Sequence, residues 1–326
     1  MRALLCLLAV VGAVVGAAPG MTQPAFPERG RPVTMIIPYP PGGGNDVTGR
    51  LLVPELERAL GTSIVVMNRA GAGSQIGMQQ LAEARPDGYT IAYGLWPSTI
   101  TLYLTPGRTA PFTRDSFAPL AMHIIDPGVL VTPQPRPFRS FAELQAAARA
   151  QAGVVSIADA GILGWDHLAS LQMQWALGIE LNQIHYAGGG GVTRAILANE
   201  VDATMMTISF ASPLVRDNQV RPLAVLAPQR SAMFPEVPTM AELGLPLAAG
   251  SARGFVAPAG TPEPILRRLA EALDTAINGE VHRAQLQRIG LAPTYLGPAE
   301  FAAYWRSEEE RLRPILQEIA RRGQNN

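Results

Sequence analysis

The chain contains no lysine: all 26 basic side chains among its 326 residues are arginine. That absence excludes an internal Schiff base with pyridoxal phosphate, a Walker-type phosphate-binding lysine and the Tyr/Lys pair of short-chain dehydrogenases. An excess of charge is also lacking, because 26 Asp and Glu balance the arginines. With no basic field, nucleic acid is not an expected partner. Cysteine is nearly absent, the single one being Cys6. A chain that has lost Cys6 has no thiol for catalysis, no Cys-ligated metal and no disulfide.

Residues 1–18 read Met1-Arg2 followed by an uncharged apolar run from Ala3 to Ala18, closing on Gly16, Ala17 and Ala18. This is the pattern of a secretory signal peptide, with cleavage expected after Ala17 or Ala18. The run is shorter than the ~20 residues that span a bilayer, and Pro19, Gly20 and Pro24 follow it. Cys6 is preceded by Leu4-Leu5, which is not a lipoprotein box. Export without disulfides points to the periplasm of a Gram-negative bacterium. Loss of Arg2 with the signal leaves 25 Arg against 26 acidic residues.

What is present is 48% hydrophobic residue, 32 Gly and 29 Pro, spread in short turn-like clusters as in a large α/β protein of about two domains. The first unit is a buried strand, Pro32 to Tyr39, then the loop Pro40-Pro41-Gly42-Gly43-Gly44-Asn45-Asp46, then a helix to Leu60 with Asn45 or Asp46 as cap and a kink at Pro54. The second is a strand from Ser63 to Met67, a glycine loop, and a helix from Ser74 to Ala84. Strands are expected at Tyr89 to Leu95, Val129 to Val131, Val154 to Ala158, Gln183 to Tyr186, Ala203 to Ile208, Leu223 to Leu226 and Gly254 to Ala257. Helices are expected at Phe141 to Ala150, Trp165 to Leu177 and Val192 to Leu197, and from Pro262 onward. Such alternation argues for two mostly parallel sheets with helices on both faces, and for a ligand beyond the carboxyl ends of strands.

The four histidines, His123, His167, His185 and His282, form no close metal spacing, and no Gly-x-Ser-x-Gly elbow occurs. No catalytic residue, metal or cofactor is therefore expected. His167 lies in the first turn of a helix, where a hydrogen-bonding structural role competes with ligand contact. His282 lies on a charged helix and is expected to be solvated. Gly71-Ala72-Gly73-Ser74-Gln75-Ile76-Gly77 has its third glycine one residue too late for a dinucleotide fingerprint, and reads as a tight loop. More informative are three glycine-rich strand-to-helix loops, Gly42 to Gly44, Ala160 to Gly164 and Gly188 to Gly191. Free N–H groups at helix N-termini attract carboxylates, so loops of this kind in both halves suit a cleft for a small organic anion.

Several stretches occur in the order found in one family: Pro38 to Val47, Met67-Asn68-Arg69-Ala70-Gly71-Ala72-Gly73, Pro86-Asp87-Gly88-Tyr89-Thr90, His167-Leu168-Ala169, Tyr186-Ala187-Gly188, Val237 to Gly244 and Ala257 to Pro262. On these the chain resembles the Bug family, the periplasmic solute-binding subunits of tripartite tricarboxylate transporters. The resemblance implies a two-lobe α/β protein of the type II periplasmic-binding kind, each lobe a mostly parallel sheet flanked by helices. It puts residues 27–125 plus 252–326 in lobe 1, residues 126–251 in lobe 2, and the ligand in the cleft between them. It implies a non-catalytic receptor that partners membrane permease subunits and is itself expected to be a monomer. Its matching ligand-binding positions are Tyr39, Gly42, Gly43, Asn45 and Asp46 in lobe 1 and Ala160, Gly161, Gly164, His167, Tyr186 and Gly188 in lobe 2. Asp46 has an equal claim to be a helix cap.

The departures from the family are informative. Ala160-Gly161-Ile162-Leu163-Gly164-Trp165-Asp166 is more apolar than the small Gly/Ser loop usual there, and Ala187 stands where a Lys is common. A monocarboxylate or aromatic acid is therefore expected, with Trp96 or Trp165 stacked on it unless they lie in the core. The grip falls to loop amides, hydroxyls and an Arg such as Arg194 or Arg253. A receptor for a membrane sensor kinase, and a secreted hydrolase or isomerase using His167 and Asp166, are the alternatives.

Overall fold

The computed structural model describes residues 26–323; the expected signal segment, 1–18, lies outside them. The chain runs β1 (Val33–Ile37), α1 (Gly44–Leu60), β2 (Ile64–Asn68), α2 (Gln75–Ala82), β3 (Thr90–Trp96), α3 (Ser98–Leu104) and β4 (Phe117–Pro133). It continues through α4 (Phe141–Ala150), β5 (Ser156–Asp159), α5 (Trp165–Leu177), β6 (Asn182–His185), α6 (Gly189–Leu197), β7 (Ala203–Thr207), α7 (Ile208–Arg216) and β8 (Val220–Leu226). It closes with β9 (Gly250–Pro258), α8 (Glu263–Asn278), α9 (Glu280–Arg288) and α10 (Pro298–Arg322). Among the described residues no helix is long and apolar enough to cross a membrane.

The strands fall into two groups that meet on one strand. In the first half β2, β1 and β3 are parallel and β9 joins β3 antiparallel. In the second half β6, β5 and β7 are parallel. Between them runs β4, 17 residues long, antiparallel to β9 through its first part and, from Gly128 onward, flanked by antiparallel β7 on one edge and antiparallel β8 on the other. The two expected sheets are joined through β4, which belongs to both and makes the order continuous, β2-β1-β3-β9-β4-β7-β5-β6. The expected strand Val129 to Val131 is only the tail of β4. Its earlier part carries Pro119, His123, Asp126 and Pro127, residues of low strand propensity. The ladder with β9 accepts them through register shifts between Pro119 and Ala121 and between Met122 and Ile124. Gly250 pairs with Pro127, and a Cβ there would lie 2.4 Å from the Asp126 carbonyl oxygen. The chain must be bare at this crossing.

Helices cover both faces. The amphipathic α8 buries Leu269, Leu273 and Ile277 against the first half with Leu52 and Leu56 of α1. Helix α1 continues through Pro54. After β3 comes α3, whose sequence Ser-Thr-Ile-Thr-Leu-Tyr-Leu is β-branched and has little helix propensity; packing against α10 overrides it. On that side Trp96 is fully buried, its ring 4.9 Å from those of Phe301 and Trp305. Trp165 is buried in the second half, its ring over Gly128 of β4. Both rings are therefore core residues, which corrects the expectation that one stacks on a ligand. Where α5 approaches the end of α10, the Arg322 guanidinium lies 4.9 Å from the Trp175 ring centre.

His282 also differs from expectation, being fully buried. Its Nε2 is 2.7 Å from His123 Nε2, and His123 Nδ1 is 2.7 Å from the Tyr93 hydroxyl. Burial holds His123 well below its ordinary pKa and depresses His282 as well. Such histidines stay neutral in the fold and take up protons only on unfolding, once the pH falls through about 6.5. Their contribution to stability is present above that pH and is lost as pH falls toward their folded values. His282→Leu should cost about 1–3 kcal/mol at pH 8, by stranding His123 Nε2. It should also make the acid-side loss of stability shallower than in the natural chain, as read from urea melts at pH 8, 6 and 5.

Candidate functional site

The first loop, between β1 and α1, is shaped by an internal carboxylate. Gly42 is left-handed at φ +79, and its N–H donates to Asp46 Oδ2 at 2.9 Å. Asp46 Oδ1 accepts from Arg50 Nε and from Asn68 Nδ2, each at 2.8 Å. Burial works to raise this carboxyl, but the Gly42 N–H, Asn68 and Arg50 outweigh it and hold it below the usual range. Asp46 thus braces the loop from the first turn of α1 and is not the helix cap, a position taken by Gly43. The N-cap of α1, Gly43, receives no side-chain hydrogen bond, so the first-turn N–H groups are left for another acceptor. Asn45 is buried, with Nδ2 on the Tyr93 carbonyl at 2.9 Å.

The second loop, between β5 and α5, uses the same device. Asp166 Oδ2 accepts from the Ala160 N–H at 2.7 Å, and Oδ1 from the His167 N–H at 3.1 Å. Burial, then the charge of Asp159, pushes Asp166 up to about 7. His167 Nδ1 accepts the Leu163 N–H at 2.9 Å, and burial lowers this ring to about 4. His167 is therefore a neutral loop brace. Gly164 caps α5 without a side-chain bond, as Gly188 caps α6. The Gly188 N–H donates to the Ala160 carbonyl at 3.0 Å, and the Tyr186 N–H to that of Asp159 at 3.0 Å. The second-half positions Ala160, Gly161, Gly164, His167, Tyr186 and Gly188 thus form one cluster.

Asp159, His167 and His185 offer ligand atoms within 4.8 Å of one another. Those atoms are already engaged. Asp159 Oδ2 bonds His185 Nδ1 at 2.8 Å, and Asp159 Oδ1 accepts the Gly161 N–H at 3.0 Å. With His167 Nδ1 on Leu163, the trio fits a loop-bracing network better than a metal centre.

Between the halves stands a group of residues that sequence reasoning touched only at Arg253. The Phe210 ring, from α7, covers Gly44, where a Cβ would meet Phe210 Cε2 at 2.5 Å. The same Cβ position is 3.5 Å from Arg253 Nη2. Arg253 is 3% exposed, and Nη2 reaches Ser251 Oγ at 3.3 Å. Its separation from Asp126 Oδ2, 3.7 Å, is too long for a hydrogen bond. Asp126 instead accepts from Ser209 through Oγ at 2.5 Å and N–H at 3.3 Å. Arg253 Nε and Nη1, the Tyr39 hydroxyl, Asn45 Oδ1 and Ser74 Oγ are buried without a partner among the described residues. A stranded buried polar group costs about 1–3 kcal/mol, more when charged. Ser74 has φ +85 and Leu163 φ +62, strained conformations beside the two loops that no sequence motif announced. Two pockets, about 420 Å3 beside Trp175 and Arg322 and about 310 Å3 beside Tyr295, lie away from these residues.

Two α/β halves joined at a strand crossing, each presenting an uncapped glycine loop, define a two-lobe solute-binding protein. The chain belongs to the tripartite tricarboxylate transporter family receptors, whose sequence pattern matches residues 49–321. Protein BugT of Bordetella pertussis is 33% identical over 321 residues, covering 96% of this chain and 97% of that protein. MatC from Rhodopseudomonas palustris, solved with bound malate, is similar at a TM-score of 0.78 and 26% identity, over 88% of this chain and 99% of its own. An R. palustris protein solved with adipate gives a TM-score of 0.80 at 26% identity, over 88% of this chain and 96% of its own.

The seat of Phe210 on Gly44 can be tested directly. Gly44→Ala should lower stability by about 1–3 kcal/mol through overpacking. Most of that loss should vanish when the same change is made in a Phe210→Ala background, as measured by thermal melts of all four proteins.

Proposed function

We propose that this chain is a periplasmic receptor that closes on a small organic acid and delivers it to the membrane permease of a tripartite tricarboxylate transporter. The observation that carries this is the pair of uncapped glycine loops, each held open by its own aspartate, Asp46 in one half and Asp166 in the other. A carboxylate can accept from their N–H groups and draw on the positive ends of the helix dipoles. The malate and adipate held by structural neighbours support an acid as ligand. We take residues 27–125 with 252–326 as one lobe and 126–251 as the other, hinged where Asp126 pairs with Ser251. A ligand that touches both lobes favours the closed state through its differential affinity for it. His167 and Asp166 are occupied in bracing their loop, which speaks against an enzyme built on them.

With Trp96 and Trp165 in the cores, chain length and carboxylate number are left to experiment. Ligand-stripped protein lacking residues 1–18 should be screened by thermal shift against acetate, benzoate, malate, adipate and citrate. At 100 times its dissociation constant a true ligand stabilises by about 2.7 kcal/mol, and it should be recovered chemically unchanged. A melt unmoved by every acid would overturn the reading, and turnover of the bound acid would replace it with an enzyme.

A further inference from the structure

We propose that Arg253 is the cation that binds the ligand's carboxylate at the base of the cleft. The inference rests on the organic-acid reading above and gives it a specific anchor. Arg253 lies on β9 opposite Leu95 of β3 and Ile124 of β4. That register places it at the carboxyl end of β3, level with the exit of β1 toward Tyr39, where ligands of such sheets collect. Its guanidinium is buried between the first-half loop at Gly44 and the second-half group Asp126 and Ser209. An acid bound here touches both halves.

The neighbours meet this cation only in part, Asp126 lying 3.7 Å from Nη2 as a buried counter-charge that makes no hydrogen bond to it. Asp126 is committed to Ser209, and Ser251 takes one bond from Nη2, so Nε and Nη1 have no acceptor. Tyr39 is close enough to feel the charge of Arg253, and its buried hydroxyl stands beside Ser74 and Ser98. The result is a set of donors, one guanidinium and several hydroxyls, next to the uncapped start of α1. A carboxylate is the complement of such a set, because a charged acceptor on a guanidinium forms the stronger kind of hydrogen bond. A neutral amide offers one weaker acceptor and forgoes the charge that strengthens a hydrogen bond to the guanidinium. Arg194, the other arginine expected at the site, is exposed on α6 and serves as the control.

The test uses the acid giving the largest thermal shift among acetate, benzoate, malate, adipate and citrate, together with its primary amide. Calorimetry is run on the natural chain, Arg253→Gln, Arg253→Lys and Arg194→Gln. The natural chain and Arg194→Gln should prefer acid over amide by about 30-fold or more. Arg253→Gln should lose most of that preference and Arg253→Lys should keep part of it. If Arg253→Gln does not fold, a crystal structure of the natural chain with the same acid decides, the expected carboxylate oxygen being within about 3.2 Å of Nε or Nη1. An acid that binds the natural chain and Arg253→Gln with equal preference, or one held only by loop amides in the crystal, overturns the anchor and leaves the receptor reading intact. If no acid binds the natural chain, both fall.

Discussion

The antiparallel pairing of β4 with β9 is what holds the two halves in register. Each half has a parallel sheet of its own, and neither shares a strand with the other except through β4. The chain crosses twice, at Asp126-Pro127 and at Gly250-Ser251, and the two crossings are paired to each other. Side-by-side crossings form a ribbon, flanked by an apolar contact in which Leu168 and Leu171 of α5 join the first half's core. A ribbon can twist with small changes spread over a few residues, as hinge motions require. The missing Cβ of Gly250 lets the strands come close enough to pair at that point. Arg253, Asp126 and Ser251 sit on this ribbon, so the groups at the base of the cleft are also those nearest its axis.

The loops answer a problem posed by composition. Without lysine, an anion held as proposed must draw on backbone N–H groups beside the buried Arg253, and such groups work only if they point the right way beforehand. In each half an aspartate in the first helical turn folds back onto the preceding loop, Asp46 onto Gly42 and Asp166 onto Ala160. These carboxylates hold the Gly42 and Ala160 N–H groups and fix the loops, and no side chain caps the helix starts that follow. Orienting the donors in advance lowers the entropy that binding must otherwise remove. The two aspartates reach this result differently. Asp46 shares its charge with Arg50, whereas Asp166 has no cation and lies against Asp159.

Much of this was legible in the sequence, because glycine loops between a strand and a helix leave a local signature. The loops at Gly42 to Gly44, Ala160 to Gly164 and Gly188 to Gly191 fall where the pattern put them, and most helices and parallel strands do too. What escaped depends on contacts distant in sequence. β4 was masked by its prolines, whose cost is met by β9, over a hundred residues later. The β-branched α3 is helical because α10 packs on it. His282 reads as solvated on its own charged helix, yet its partner His123 lies 159 residues away. The two tryptophans could not be assigned to core or cleft until Phe301, Trp305 and Gly128 were placed around them. Phe210 and Ser209 carried no motif at all, since their role comes only from facing Gly44 and Asp126.

The contact between Arg322 and Trp175 ties the last turn of α10 to α5. Helix α10 itself is rooted in the first half through Phe301 and Trp305, whereas α5 belongs to the second. The final helix therefore straps one half to the other, and the Trp175 indole of α5 beneath its end gives the molecule a built-in optical probe of the spacing between halves. Trp96, Trp165 and Trp305 are sealed in apolar cores, while Trp175 is partly exposed and sits under a cation. Its emission is the one expected to respond when the halves move apart.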